Sequence, residues 1–387
     1  MSSCRLLVGI SLALLAASAL AAPAANFSRK GCSRVVPDAP LGLPAAVLVN
    51  TRCGRFRLEP NGRVVYKGSA VLPVPRGTSY WPTDLTWYRF DRRHLVIGRG
   101  HRTLWRSRHQ YPRAFPGNVG LIALGPHELS YSYSRTLSPS PDLYVARYGG
   151  AERRAAVGES PLAILPSGEL VTVRDGWHTL VLRTARGRFA RVLARHASDP
   201  QWDRGNRALL FRLRDRLLVF DGAHTKELVR LKRLGIRGLP TVEPLGRVLA
   251  VHDRTKLVVL DLEGRLVAST MLPRFGRDDG VSSSVVASGT TVAFAATSGS
   301  LKRETVYVLT AGEQRAPPLF GRALSPQGCG RSTDLAWHGR WLLYSTTEHR
   351  AAVIDSTARS AAIDLSAVIA RVPGASRDGF FGVGWAP

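Results

Sequence analysis

The chain has 387 residues, 44% of them hydrophobic, and a formal net charge of +26. That length exceeds what one ordinary core organises, so the fold must come from units that each pack on their neighbours. Only six of the 54 basic residues are lysine, and the arginines are scattered along the chain. A nucleic-acid-binding protein would show a localised basic patch with interleaved aromatics, and none is present.

Residues 1–21 read as a signal peptide. Arg5 supplies the positive charge, Leu6 to Leu20 is apolar or small, and Ala19-Leu20-Ala21 meets the small-residue rule for cleavage. The apolar run is short for a bilayer, and no later segment is long and apolar enough to cross one. No transmembrane segment is therefore expected after signal removal, and the protein is expected to be secreted or held in the cell envelope. Residues 22–44 form a leader rich in Ala and Pro. Residues 45–387 form the folded domain.

Within that domain a short pattern of strands and turns repeats about every 40–50 residues, the period of a β-propeller blade. Its second strands are anchored at Val47, Leu95, Leu129, Leu170, Leu209, Val248, Val292 and Leu342. Turns such as Pro166-Ser167-Gly168 and His338-Gly339-Arg340 separate the strands. Third strands begin at Thr179, Leu217, Leu257, Val306 and Ala352, several ending at an acidic or glycine turn such as Asp221-Gly222 or Asp355. The strands are short and rich in Val, Leu and Thr, with no long helical period. The fold is read as all-β, a β-propeller of eight blades. Seven is the alternative, because the unit at Leu95 is short, and a pair of β-sandwiches is the competing architecture. The first unit lacks an innermost strand, and the apolar segment Phe380 to Trp385 at the chain's end is placed to supply it and hide two sheet edges.

The third-strand endings resemble those of WD-repeat, YVTN-type and TolB-like propellers, which close that strand on Leu-Asp or Val-Asp before a glycine turn. The resemblance covers most of residues 45–387 and is one of architecture. The Trp-Asp dipeptide is absent, and the Ser-Pro-Asp-Gly turn survives only in altered form across Leu137 to Asp142. No functional residue is carried over from it.

Cys32, Cys53 and Cys329 follow the signal segment, and export permits a disulfide. A Cys53–Cys329 bond would staple the closing blade, with Cys32–Cys53 as the alternative.

Walker loops, nucleophile elbows, zinc-protease motifs, paired Cys-x-x-Cys and calcium loops are absent. One constellation remains. His101, His178, His252 and His349 are read as lying in the turns between second and third strands, with Asp175, Asp215, Asp253 and Glu348 nearby. Four imidazoles on separate blades can converge on a metal or a ligand, and ordinary turn chemistry accounts for them as well. They are kept as ligand-binding candidates, with no metal and no cofactor assigned. Trp177 and Trp202 join them as residues beside loops, together with Tyr111 and Phe115. Trp87, Trp337 and Trp385 are placed in innermost strands, packing between blades. Asp278-Asp279-Gly280 is read as a turn.

The resulting functional reading is a secreted propeller that acts as a binding or scaffold protein rather than an enzyme. Loops on one face hold an extracellular or envelope protein, a peptide or an anionic glycan. The alternative is a lyase or hydrolase acting on an acidic extracellular polysaccharide.

Overall fold

The computed structural model describes residues 41–386 apart from 52, 69–77, 82–85, 113–116, 136–139, 175–177, 238–239, 273–279, 282–284, 299–302, 317, 324–331, 347–350, 358–361 and 376–379. Residues 1–21, read above as a signal peptide, and most of the expected leader 22–44 lie outside the described residues. So do Cys32, Phe115, Asp175, Trp177, the Asp278-Asp279 pair, Cys329, Glu348 and His349.

The described chain is almost entirely β, in eight antiparallel sheets. Sheet I holds Val47–Thr51, Gly54–Leu58, Val64–Tyr66 and the chain's last strand, Phe380–Trp385. Sheet II holds Ser79–Trp81, Thr86–Asp91, His94–Arg99 and Arg102–Arg106. Sheet III holds Asn118–Leu124, Glu128–Ser134, Asp142–Arg147 and Arg153–Val157. Sheet IV holds Glu159–Ile164, Leu170–Arg174, Thr179–Arg183 and Phe189–Arg195. Sheet V holds Ala197–Asp203, Ala208–Leu213, Arg216–Phe220 and Thr225–Arg230. Sheet VI holds Thr241–Pro244, Val248–His252, Lys256–Asp261 and Leu266–Met271. Sheet VII opens on a first strand in two pieces, Gly280–Val281 and Val286–Ser288, followed by Thr291–Ser298, Arg303–Leu309 and Pro318–Ala323. Sheet VIII holds Ser332–His338, Trp341–Thr346, Ala351–Asp355 and Ala362–Asp364.

Seven sheets run first to fourth strand in chain order. Sheet I differs: its first position is taken by Phe380–Trp385, antiparallel to Val47–Thr51, with Val47 opposite Trp385 and Val49 opposite Val383. The pairing of the last segment with the first sheet is as the sequence suggested. Leu43 is buried in the core shared by sheets VIII and I.

The chain divides into two compact units. One holds Leu72–Arg230, with sheets II to V. The other holds Asn26–Val71 and Leu231–Pro387, with sheets VI, VII, VIII and I. In the first unit, cores lie between II and III, III and IV, and IV and V. In the second, they lie between VI and VII, VII and VIII, and VIII and I. An inner sheet is thus covered on both faces. This is why its central strands read as continuous apolar runs, such as Leu170-Val171-Thr172-Val173 in sheet IV and Ala351-Ala352-Val353-Ile354 in sheet VIII, rather than as alternation.

Tryptophans fasten neighbouring sheets through their indole N–H groups. Trp337 donates to the Val286 carbonyl (3.4 Å) and Trp385 to the Ala336 carbonyl (2.9 Å), each from a first strand to the preceding sheet. These two fill the inter-sheet role expected of them. Trp87 does not sit in a first strand. It lies in the second strand of sheet II, fully buried, and donates to Gly100 within its own sheet (2.7 Å). Its ring needs a glycine at 98, where a Cβ would fall 2.1 Å from the indole and 2.5 Å from the Arg102 carbonyl.

Seven of the eight second-strand anchors fall in second strands. Leu95 lies instead in the third strand of sheet II, and the second strand is Thr86–Asp91. The cause is the hairpin Asp91-Arg92-Arg93-His94. Both central residues have positive φ, 45° and 73°, as a type I′ turn requires, yet neither is Gly or Asn. Arg93 is held there by Nε donating to the Tyr111 carbonyl (2.9 Å) and by Tyr111 N–H donating to the Arg93 carbonyl (2.7 Å). Arg92→Asn is expected to stabilise the protein by about 0.5–1 kcal/mol, because Asn accepts the left-handed conformation with less strain. A denaturant midpoint unchanged or lowered would contradict this.

Candidate functional site

The second-to-third turn of sheet VI is the best defined of the expected loop sites. Asp253, buried, builds it. Its Oδ1 accepts from the Thr255 and Lys256 amides (2.7 and 2.9 Å) and from the Thr255 hydroxyl (2.8 Å), and Oδ2 accepts from the Arg237 amide (2.9 Å). Lys256 Nζ donates to the Leu234 carbonyl (2.7 Å), tying the turn to the 3-10 helix Leu231–Leu234. Asp253 is thus a turn builder whose carboxylate is committed to its own loop and to the backbone at Arg237.

His252 closes the strand beside it. Its side chain is 11% exposed, and Nε2 lies 3.1 Å from Glu243 Oε1 on the first strand. The other Glu243 oxygen accepts from the Val285 amide of sheet VII (3.0 Å). Glu243 therefore fixes the imidazole and bridges two sheets at once. A carboxylate holding one ring nitrogen fixes the orientation of the ring. No residue adjacent to His252 in the chain pointed to this partner, which lies on a neighbouring strand nine residues away.

The other histidines are placed differently. His178 is exposed in the second-to-third turn of sheet IV. Its amide donates to the Arg174 carbonyl (3.2 Å), and its carbonyl accepts from the Ala197 amide (2.9 Å). His101 is exposed in the turn between the third and fourth strands of sheet II, not between the second and third. Successive turns of a meander alternate ends, so His101 occupies the opposite end of its sheet from a second-to-third turn. The slip at Arg92-Arg93 produced that misplacement. Among the described residues, no three His, Cys, Asp or Glu side chains gather as a metal site would require.

Two aromatic candidates also move. Trp202 lies in the first strand of sheet V, half-buried against the core shared with sheet IV, rather than in a loop. Tyr111 is 2% exposed. Its hydroxyl pairs with that of Tyr131 (2.9 Å), and its ring sits edge-on to Phe90 and Tyr133 at 5.3 and 4.8 Å. Burial pushes the Tyr111 phenol well above its ordinary range. It is a core residue, closed to a ligand.

Cys53 is disulfide-bonded. The remaining cysteines, Cys4, Cys32 and Cys329, all lie outside the described residues.

No protein-family model and no curated protein sequence matches the chain. Solved structures resemble it at low identity. One is a dihydro-heme d1 dehydrogenase, NirN, with 16% identity and a TM-score of 0.44, covering 76% of this chain and 66% of that one. Another is a prolyl endopeptidase, with 13% identity and a TM-score of 0.44, covering 74% and 49%. A third is BamB from Moraxella catarrhalis, with 12% identity and a TM-score of 0.39, covering 84% and 98%. The chain spans about two thirds of the first and about half of the second.

A second buried carboxylate stands apart from the loops. Glu159, with a side chain 0% exposed, opens the first strand of sheet IV. It accepts from Thr172 Oγ1 (2.7 Å), from Arg174 Nε (2.9 Å) and from Arg183 Nε and Nη2 (both 2.7 Å). Arg183 also donates through Nη1 to the Gly187 carbonyl (2.9 Å). The network spans three strands of one sheet and was not expected from the sequence. Burial alone would raise the Glu159 carboxyl, but the bonds from Arg183, Thr172 and Arg174 outweigh it and hold the group below its ordinary range. With every acceptor filled, it is a fastening.

Proposed function

We propose that the protein is an exported β-propeller that works as a binding or scaffold protein, holding an extracellular or envelope partner through its second-to-third turns. In this reading each sheet is a blade, and Phe380–Trp385 completes the first of them. The disulfide at Cys53 fits an oxidising compartment, as does the signal-like segment 1–21.

The observation that carries the binding reading is the condition of the sheet VI turn. Asp253, Glu243 and His252 are spent on holding the loop in one shape. A loop prepaid in this way presents a fixed surface, which lowers the entropic cost of association. The His252–Glu243 pair also favours a second reading, an enzyme acting on an acidic polysaccharide, because an imidazole oriented by a carboxylate is a suitable proton acceptor.

Affinity capture from the native envelope separates the two. Wild-type protein is expected to retain a partner that Arg254→Ala, a change at an exposed position of the sheet VI turn, loses at unchanged melting temperature. Equal capture by both would remove the loops from the interface. The enzyme reading expects polyuronates to yield unsaturated or shortened product with wild type and none with His252→Gln. Absence of product at neutral and acidic pH would end it.

A further inference from the structure

Charge is distributed unevenly across the strands. No first strand of any sheet contains a lysine or arginine, and the charged groups there are Glu159, Asp199, Asp203, Glu243 and Asp334. In the unit of sheets II to V, each fourth strand carries two basic residues. They are Arg102 and Arg106, Arg153 and Arg154, Arg191 and Arg195, and Lys226 and Arg230. All eight are exposed, and the only carboxylate on these four strands is Glu227. In the other unit the fourth strands carry a single basic residue, Arg322. A coding bias toward arginine would load the outer strands of both units alike, so it does not explain the difference.

The four strands form one continuous rim within their unit. Trp105 on the fourth strand of II donates to the Gly150 carbonyl beside the fourth strand of III (3.0 Å). Gly187, at φ +71°, brings the turn before the fourth strand of IV so close to III that a Cβ there would fall 2.7 Å from the Ala155 side chain. Arg191 Nη2 donates to the Ala223 carbonyl, in the turn before the fourth strand of V (3.2 Å). Arg106, Arg154 and Arg230 are paired with Asp91, Asp142 and Glu227. Arg102, Arg153, Arg195 and Lys226 have no acidic partner among the described residues. Two apolar side chains lie among these cations, Phe189 at 55% and Val157 at 61% exposure.

We infer that this rim binds a linear acidic glycan. Charges repeated over four successive strands match a polymer with regularly spaced carboxylates, and guanidinium groups engage carboxylates in pairs of parallel hydrogen bonds. Exposed Phe189 and Val157 offer apolar surface to the faces of sugar rings. Strand addition by an acidic peptide fits less well, because the fourth strand of sheet IV is broken by two register shifts that disrupt a regular edge. The rim is separate from the turns of the proposed function, and the two fail independently.

The test is titration with polygalacturonate oligomers of defined length at two salt concentrations. The rim variant combines Arg102→Gln, Arg153→Gln, Arg195→Gln and Lys226→Gln. The control combines Arg63→Gln, Lys67→Gln, Arg247→Gln and Arg371→Gln, exposed positions of the other unit with the same change in net charge. The rim variant is expected to bind about tenfold or more weakly at low salt, with a shallower dependence on salt, and the control close to wild type. Equal loss in both would reduce the effect to net charge. No binding by wild type would overturn the inference, as would binding to vesicles of anionic phospholipid that polygalacturonate does not compete away. Melting curves of both variants show whether they are folded.

Discussion

Glu159→Ala is expected to destabilise the unit of sheets II to V by about 3–5 kcal/mol, because it leaves the buried Arg183 cation without its counter-charge. Arg183, 6% exposed, loses both bonds to the carboxylate, and Arg174 and the Thr172 hydroxyl lose theirs. Glu159→Gln keeps the shape but still strands the two guanidinium charges, so it should fall short of wild type as well. Urea unfolding measures both, and a midpoint within error of wild type for Glu159→Ala would refute the account. The same group predicts a pH dependence. Its carboxyl is held below its ordinary value of 4.5 in the folded protein. The unfolded chain therefore takes up the proton first as pH falls. The stabilisation is complete above that ordinary value and is lost as pH drops through the folded value. Glu159→Gln should lack this component, so the stability difference between the two proteins should shrink on acidification below about pH 4.

Deleting residues 380–387 is expected to be at least as damaging. It removes the partner of Val47–Thr51 and opens an edge whose alternate residues, Val47, Val49 and Thr51, are fully buried. It also removes Val383 from the core shared by sheets VIII and I, and the Trp385 bond to Ala336. An unpaired apolar edge recruits other chains, so the truncated protein should aggregate or melt at a lower temperature. A peptide spanning residues 378–387, added in trans, should restore the melting temperature by supplying the missing strand. The milder Trp385→Ala should cost about 2–4 kcal/mol, less than loss of a fully buried tryptophan, because the ring is only half-buried. A truncated chain with unchanged melting and no rescue by the peptide would show that the pairing contributes little.

The strand pattern was legible wherever the turns used ordinary turn residues. Pro166-Ser167-Gly168 and Leu245-Gly246-Arg247 marked their hairpins correctly, with Gly168 and Gly246 at φ of 84° and 81°. The pattern failed at Arg92-Arg93, where both residues take a glycine-like conformation and side-chain and backbone bonds to Tyr111, 18 residues on, hold Arg93 in it. That single unreadable turn displaced Leu95 by one strand and carried His101 to the wrong end of its sheet. Tyr111 and Trp202 looked like loop aromatics because their flanking residues are polar. Burial came from neighbouring sheets that adjacent sequence does not record. Glu159 was missed for a related reason. Thr172, Arg174 and Arg183 reach it from two other strands.

The amino-acid order alone determined the succession of short apolar strands, the turns between them, and the free last strand seeking the first sheet. These depend on pleat, β-branching and chain reversal over a few consecutive residues. Only the tertiary structure decided which polar groups met: His252 with Glu243, Glu159 with Arg183, and eight basic residues along one rim. Such meetings depend on register, and a bulge that shifts pairing by one residue turns a side chain to the other face of its sheet.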